Sequence, residues 1–213
     1  PAWSPDGGAI AYWFSNKIHV VDLESGDTRV VVPVPATSPT WSPDSRELAY
    51  HREGLSEDIF VSDVDTRATR RLTHHPAPDG NPEWSRDGTS IAFVSTRDGL
   101  IKIYIMDADG RNVTPVRGGA SAKDPAWSPD GKRLAFRSSQ GMKSNIFVAE
   151  LGAGGFARQV TDGPYWKETP AWVAGGEWIA YAFSGDVHVV SPEGGRSQPL
   201  GVQHGEVLIN YFD

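Results

Sequence analysis

An all-β fold built from a recurring four-stranded unit is predicted by three features of this 213-residue chain. A tryptophan phrase returns five times, at Trp3, Trp41, Trp84, Trp127 and Trp172, with intervals of 38, 43, 43 and 45 residues. An apolar run follows every anchor: KIHVVD, DIFVSD, KIYIMD, NIFVAE and DVHVVS. Glycine (23) and proline (16) are scattered evenly along the chain, which breaks up any long helix and favours short strands joined by turns. A period of about 40–45 residues with four short strands per unit is the signature of propeller blades.

Each unit reads strand by strand. The first strand ends in the anchor phrase, PAWSPDGGAIAY from Pro1, PTWSPDSRELAY from Pro39, PEWSRDGTSIAF from Pro82, PAWSPDGKRLAF from Pro125 and PAWVAGGEWIAY from Pro170. Its Pro-Asp-Gly step is turn chemistry: proline fixes φ and glycine accepts a positive one. The residues after it form the second strand, and the apolar run is the third. DADGRN, ESGDT and PEGGR supply the last turn, with residue types that tolerate positive φ. RRLTHH, RQVTDG and SQPLGV mark the fourth strand. In the third strand Ile103 and Ile105 alternate with Tyr104 and Met106, so both faces are apolar and both must be covered. A single unit cannot do this alone; stacked neighbours supply the core, and the anchor tryptophan is the expected wedge. The expectation is one β-propeller domain of five detected four-stranded blades, with repeats at about 1–36, 37–79, 80–122, 123–166 and 167–213. It is either a closed five-blade ring or an arc of a six-bladed ring, GEVLINYFD aligning with the start of a sixth unit.

WSPDGKRLAF followed by NIFVAEL, and STRDGLIKIYIMDADGRNVTPV, resemble the repeats of TolB-type β-propellers. They resemble equally the propeller domains of dipeptidyl peptidases, prolyl oligopeptidases and the tricorn protease. The likeness spans essentially the whole chain; the fifth unit departs most, with Val173-Ala174-Gly175-Gly176 in place of Ser-Pro-Asp-Gly. It implies a non-enzymatic protein- or peptide-binding scaffold, periplasmic or otherwise outside the cytoplasm. A second implication is a substrate-gating propeller of a serine peptidase whose hydrolase domain lies outside this sequence. A third is a carbohydrate-binding or carbohydrate-processing propeller. No cofactor or metal is implied.

Composition narrows the partners. The net charge is -7, and adjacent basic residues occur only at Arg70-Arg71 and Lys132-Arg133, which argues against a nucleic-acid surface. The absence of cysteine removes disulfides, thiolate catalysis and thiolate metal sites. No run approaches the length of a membrane span. A chain opening on Pro1 rather than Met reads as a processed form or an excerpt.

The candidate residues separate into architecture and variation. Ser4, Ser42, Ser85 and Ser128, with Asp6, Asp44, Asp87 and Asp130, recur in equivalent turns and are read as turn-binding rather than catalytic; no G-x-S-x-G occurs. Asp107–Asn112 begins like a calcium loop, but Gly118 stands where a glutamate is needed, so a hairpin turn is expected. His74-His75 lacks acids at ligand spacing, and His19 and His188 replace third-strand aromatics as packed residues. What differs between repeats lies three residues before the later tryptophans: Ser38, Asn81, Asp124 and Thr169, flanked by Glu83, Lys123 and Glu168. In a ring these polar groups are expected at one mouth of the axial channel, able to hold water, an ion, a peptide end or a sugar. The loop GPYWKETP adds Tyr165 and Trp166, aromatics in a connection and candidate partner contacts.

Overall fold

In a computed structural model of the chain, residues 1–54, 57–152 and 156–200 are described. The GEVLINYFD segment and His204 lie outside them. The described residues contain no helix and five four-stranded antiparallel sheets, each in simple chain order. The chain divides into two compact units, Pro1–Pro115 and Val116–Asp213.

Three sheets form the first unit. Sheet one has β1 (Ala2–Trp3), β2 (Ala9–Phe14), β3 (Lys17–Asp22) and β4 (Thr28–Val32). Sheet two has β5 (Ala36–Trp41), β6 (Glu47–Arg52), β7 (Asp58–Asp63) and β8 (Thr69–Arg71). Sheet three has β9 (Asp79–Trp84), β10 (Ser90–Ser95), β11 (Lys102–Asp107) and β12 (Thr114–Pro115). The second unit holds sheet four, with β13 (Ala122–Trp127), β14 (Arg133–Gln140), β15 (Lys143–Glu150) and β16 (Arg158–Gln159). It also holds sheet five, with β17 (Lys167–Trp172), β18 (Ile179–Phe183), β19 (Asp186–Val190) and β20 (Gln198–Pro199).

The turn after each first strand explains the repeated Ser-Pro-Asp phrase. Ser42 donates its hydroxyl to Asp44 at 2.6 Å and accepts the Glu47 N–H at 2.9 Å, closing the first strand onto the second. Ser4–Asp6, Ser85–Asp87 and Ser128–Asp130 repeat the arrangement at 2.6, 2.6 and 2.5 Å. The serine hydroxyl, followed by backbone N–H donors, holds these aspartates below the usual carboxylate range. These serines and aspartates are therefore structural, as their repetition predicts. The Asp107–Asn112 segment is the expected hairpin turn: the Asn112 amide donates to Asp107 at 2.7 Å and the Gly110 N–H to the Asp107 carbonyl at 2.9 Å. Gly110 adopts φ +87, and a Cβ there would meet the Leu72 carbonyl oxygen at 2.7 Å, so no larger residue fits.

Period-two alternation sends alternate side chains to opposite neighbours. Leu48 and Tyr50 of β6 join Ala11, Ile18 and Val20 of sheet one, with Trp41 between them. Ala49, Ile59 and Val61, on the other face of sheet two, pack against Trp84, Ile91, Phe93 and Tyr104 of sheet three. In the second unit Ala135, Ile146 and Val148 meet Trp172, Ile179 and Tyr181 in the same way. The wedge is directional as well as apolar: the Trp41 indole N–H donates to the Ala2 carbonyl at 3.0 Å, and that of Trp172 to Ala126 at 3.0 Å. A stacked ring pair bridges the second and third strands, Tyr50–Phe60 at 6.1 Å and Phe136–Phe147 at 5.9 Å. His19 and His188 take the second ring's place against Tyr12 and Tyr181, which bears out their reading as packed residues.

Trp41 is 6% exposed, whereas Trp3, at the same position of sheet one, is 63% exposed. Trp41→Ala should therefore lower unfolding stability by about 3–5 kcal/mol, the range for large core truncations. Trp3→Ala should change it by less than about 0.5 kcal/mol. Urea denaturation of both variants checks this, and equal losses would refute the wedge.

Candidate functional site

The four residues singled out ahead of the tryptophans share an unusual backbone. Ser38, Asn81, Asp124 and Thr169 have φ of 53, 50, 55 and 48, all left-handed and all directly before proline. A pre-proline residue is normally extended, and a β-branched threonine in the left-handed region is strained. Each sits where the first strand slips register against the second, at Thr37/Thr40, at Gly80/Glu83, at Lys123/Ala126 and at Glu168/Ala171. The bulge accommodates a proline, which has no N–H to give the ladder, on a strand at the edge of its sheet.

In the first unit, β5 and β9 lie side by side and these positions pair across a full repeat. The Ser38 hydroxyl donates to the Asn81 side-chain oxygen at 3.2 Å, and the Thr40 hydroxyl to Glu83 Oε2 at 3.3 Å. Glu83 is only partly exposed, and burial, opposed by the Thr40 hydrogen bond and Arg86, pushes its carboxyl up to about 7. His51 of β6 belongs to the same surface: its Nε2 lies 3.0 Å from the Thr37 hydroxyl, and its ring covers Gly80. Burial holds this imidazole below its ordinary range, against the charges of Glu57 and Glu53. Sequence reasoning missed Thr40 and His51. The signal for Thr40 was available, because residues at the same repeat position on successive first strands are spatial neighbours.

The second unit arranges its candidates differently. Asp124 accepts from Arg137 Nε of its own sheet at 2.7 Å, while Lys123, Glu168 and Thr169 are exposed. Tyr165 and Trp166 stand out from the connection between β16 and β17 at 65% and 46% exposure. Their base is firm. Neighbouring Lys167 is 3% exposed, donates through Nζ to the Tyr165 carbonyl at 3.2 Å and lies 5.3 Å from the Phe183 ring. Burial lowers the affinity of this ammonium for its proton, and Asp162 opposes the effect. The Lys167 backbone is clamped at both ends by Ser144, whose hydroxyl accepts its N–H and donates to its carbonyl, each at 2.8 Å.

Two ion pairs on buried carboxylates escaped the sequence reading. Arg97 binds both oxygens of Asp79 at 2.9 Å and lies over Phe93 and Tyr104, while Arg71 reaches Asp58 at 2.7 Å. Both carboxylates stand at strand starts, where they fix the entry of the chain. His75 uses Nδ1 to accept the Ala77 N–H at 3.1 Å. No group of three or more histidines and acids gathers into a metal-binding set among the described residues.

The raised carboxyl of Glu83 gives a pH signature. The folded form keeps a proton that the unfolded chain releases near 4.5, so between about 4.5 and about 7 the native state binds more protons. Its stability should fall as pH rises through that window, and Glu83→Gln should flatten the fall. Denaturation midpoints measured from pH 4 to 8 check this; parallel curves would overturn it.

Comparison with known proteins places this geometry. The model of the TolB beta propeller domain matches residues 1–123. An uncharacterised Agrobacterium fabrum protein, Atu1656, is 30% identical over 119 residues, covering 52% of this chain and 40% of its own length. The uncharacterised peptidase YuxL of Bacillus subtilis is 31% identical over 110 residues, covering 46% of this chain and 16% of its own. The crystal structure of TolB from Acinetobacter baumannii superposes with a TM-score of 0.76 at 23% identity, over 91% of this chain and 51% of that one. The chain thus spans less than half the length of these two curated relatives. The repeated tryptophan wedge, the Ser-Pro-Asp turn and the match over more than half of its length agree: this chain belongs to the TolB beta-propeller domain family.

Proposed function

We propose that the chain is a protein- or peptide-binding propeller acting outside the cytoplasm, without catalysis of its own. The observation that carries this reading is the pair of exposed rings, Tyr165 and Trp166, on a connection anchored by the buried Lys167. A rigidly based aromatic presents a large apolar area at low entropic cost, which is the chemistry of an interface hot spot. The first-strand bulges at Ser38, Asn81, Asp124 and Thr169, with Glu83, Lys123 and Glu168 beside them, offer polar groups for peptide ends. Family membership supports the same reading, because TolB-type propellers engage envelope proteins, and it supports an extracytoplasmic location.

A second reading, a propeller that gates substrate for a peptidase, is favoured by the 31% identity with YuxL. The intact mass of the native gene product separates the two. A product larger by a whole hydrolase domain would support gating, and one without such an excess would support binding.

Trp166→Ala tests the binding reading. Retention of envelope-fraction proteins on the immobilised protein should fall at least about ten-fold, equivalent to 1.4 kcal/mol. The melting temperature should move by less than about 2 °C, since the ring is half exposed. Unfolding of the variant would assign Trp166 to the core and sink the interface argument, as would unchanged retention.

A further inference from the structure

The wedge tryptophan has a cation partner in one sheet interface of this chain and an open cleft in another. Between sheets four and five, the Arg133 guanidinium lies 4.6 Å over the Trp172 ring. It donates to the Gly176 carbonyl at 3.2 Å and stands 3.8 Å from Glu193, which also accepts from Arg158 at 2.7 Å. Strand register identifies the equivalent places between sheets one and two. Trp41 corresponds to Trp172, Asp65 to Glu193, Arg29 to Arg158 and Ser45 to Gly176. Arg29 binds Asp65 through Oδ1 at 3.0 Å, reproducing the Arg158–Glu193 pair. The residue corresponding to Arg133 is Ala9. Between sheets two and three it is Glu47, which ion-pairs with Arg70.

With alanine at this position the first interface holds a cleft of about 380 Å³ instead of a side chain. Trp41, Val20 and Val64 give it an apolar wall; Asp6, Asp22, Asp27 and Asp65 give it four carboxylates against one cation, Arg29, which is paired with Asp65. Ser25, through its backbone and then its hydroxyl, holds Asp22 below the usual carboxylate range, so that group is charged at neutral pH. A cleft lined by a tryptophan and flanked by carboxylates suits a flat, weakly hydrated cation better than a compact ammonium. The second unit already demonstrates the fit with its own arginine.

We propose that the cleft between sheets one and two is a guanidinium receptor, taking an arginine side chain of a partner polypeptide into the place that Arg133 fills between sheets four and five. The site lies in the first unit, and its occupancy does not depend on Tyr165 or Trp166.

The test uses the chain labelled with ¹⁵N, following the Trp41 indole N–H resonance, assigned through Trp41→Phe, at low salt. N-acetyl-arginine amide should shift this resonance saturably. The lysine analogue should bind at least three-fold more weakly, and the neutral citrulline analogue should give no shift. Ala9→Arg should fill the cleft in cis, keep the melting temperature at or above that of the parent, and reduce the arginine response at least ten-fold. Equal responses to arginine and citrulline, or to arginine and lysine, would overturn the proposal, as would a folded Ala9→Arg protein that still responds. Should Ala9→Arg not fold, Asp65→Asn decides: a response weakened three-fold or more supports the receptor, and an unchanged one overturns it.

Discussion

A four-stranded sheet with apolar side chains on both faces cannot be stable alone in water, and the rest of this structure answers that constraint. Sheet two shows the consequence most fully. Leu48 and Tyr50 are covered by sheet one, and Ala49, Ile59 and Val61 by sheet three. Adjacent residues of one strand thus serve two different cores. The tryptophan at the end of the first strand makes two of these interfaces specific, one within each unit. At Trp41 and Trp172 the rings fill the gap between sheets and the indole N–H ties the residue to a backbone carbonyl of the neighbour at 3.0 Å, whereas the buried Trp84 indole nitrogen makes no such bond. A leucine would fill space but could not set the register of one sheet against the next.

The elements that this constraint dictates are legible in the sequence, because the same physical demand recurs in every copy. Turn chemistry places Ser and Asp at fixed offsets in the first four copies, and Trp recurs in all five, so the repeat declares itself at Trp3, Trp41, Trp84, Trp127 and Trp172. The first-strand backbone was not legible. The dipeptides Ser38-Pro39 and Asn81-Pro82 read as extended, yet the chain turns left-handed there. The physical reason is local: proline has already removed one N–H from the ladder, so a bulge at that point forfeits no further hydrogen bond. Side-chain partners were the other blind spot. That Asp124 turns to Arg137 within its own sheet, while Ser38 turns to Asn81 in the next, depends on register and on the length of the cation's side chain. Neither is visible as a pattern along one strand.

Repetition also makes each repeat a control for the others, because the backbone is held nearly constant while single side chains change. At this place of the second strand the five repeats carry Ala9, Glu47, Ser90, Arg133 and Trp178, and the first, second and fourth show the range. Arg133 stacks on the wedge tryptophan, Glu47 recruits the arginine of the fourth strand, and Ala9 does neither. The surrounding carboxylate at the last turn and the fourth-strand arginine remain in place in the first interface as in the last. The cradle is therefore built by the strand geometry, and one side chain decides whether it is plugged.

Leaving a cradle unplugged has a cost. A wedge tryptophan without a stacked cation forgoes a contact worth about 0.5–2 kcal/mol, and carboxylates that outnumber the single Arg29 around the cleft repel one another. A single alanine-to-arginine change at position 9 would recover that contact with chemistry the chain already uses elsewhere. Sites kept below their stability optimum are characteristic of binding surfaces, where the missing interaction is completed by a partner. The same logic applies to Tyr165 and Trp166, whose rings stand in water above a lysine that is itself buried. In both places a well-anchored base carries an uncovered group, and it is on that combination that the proposed binding reading rests.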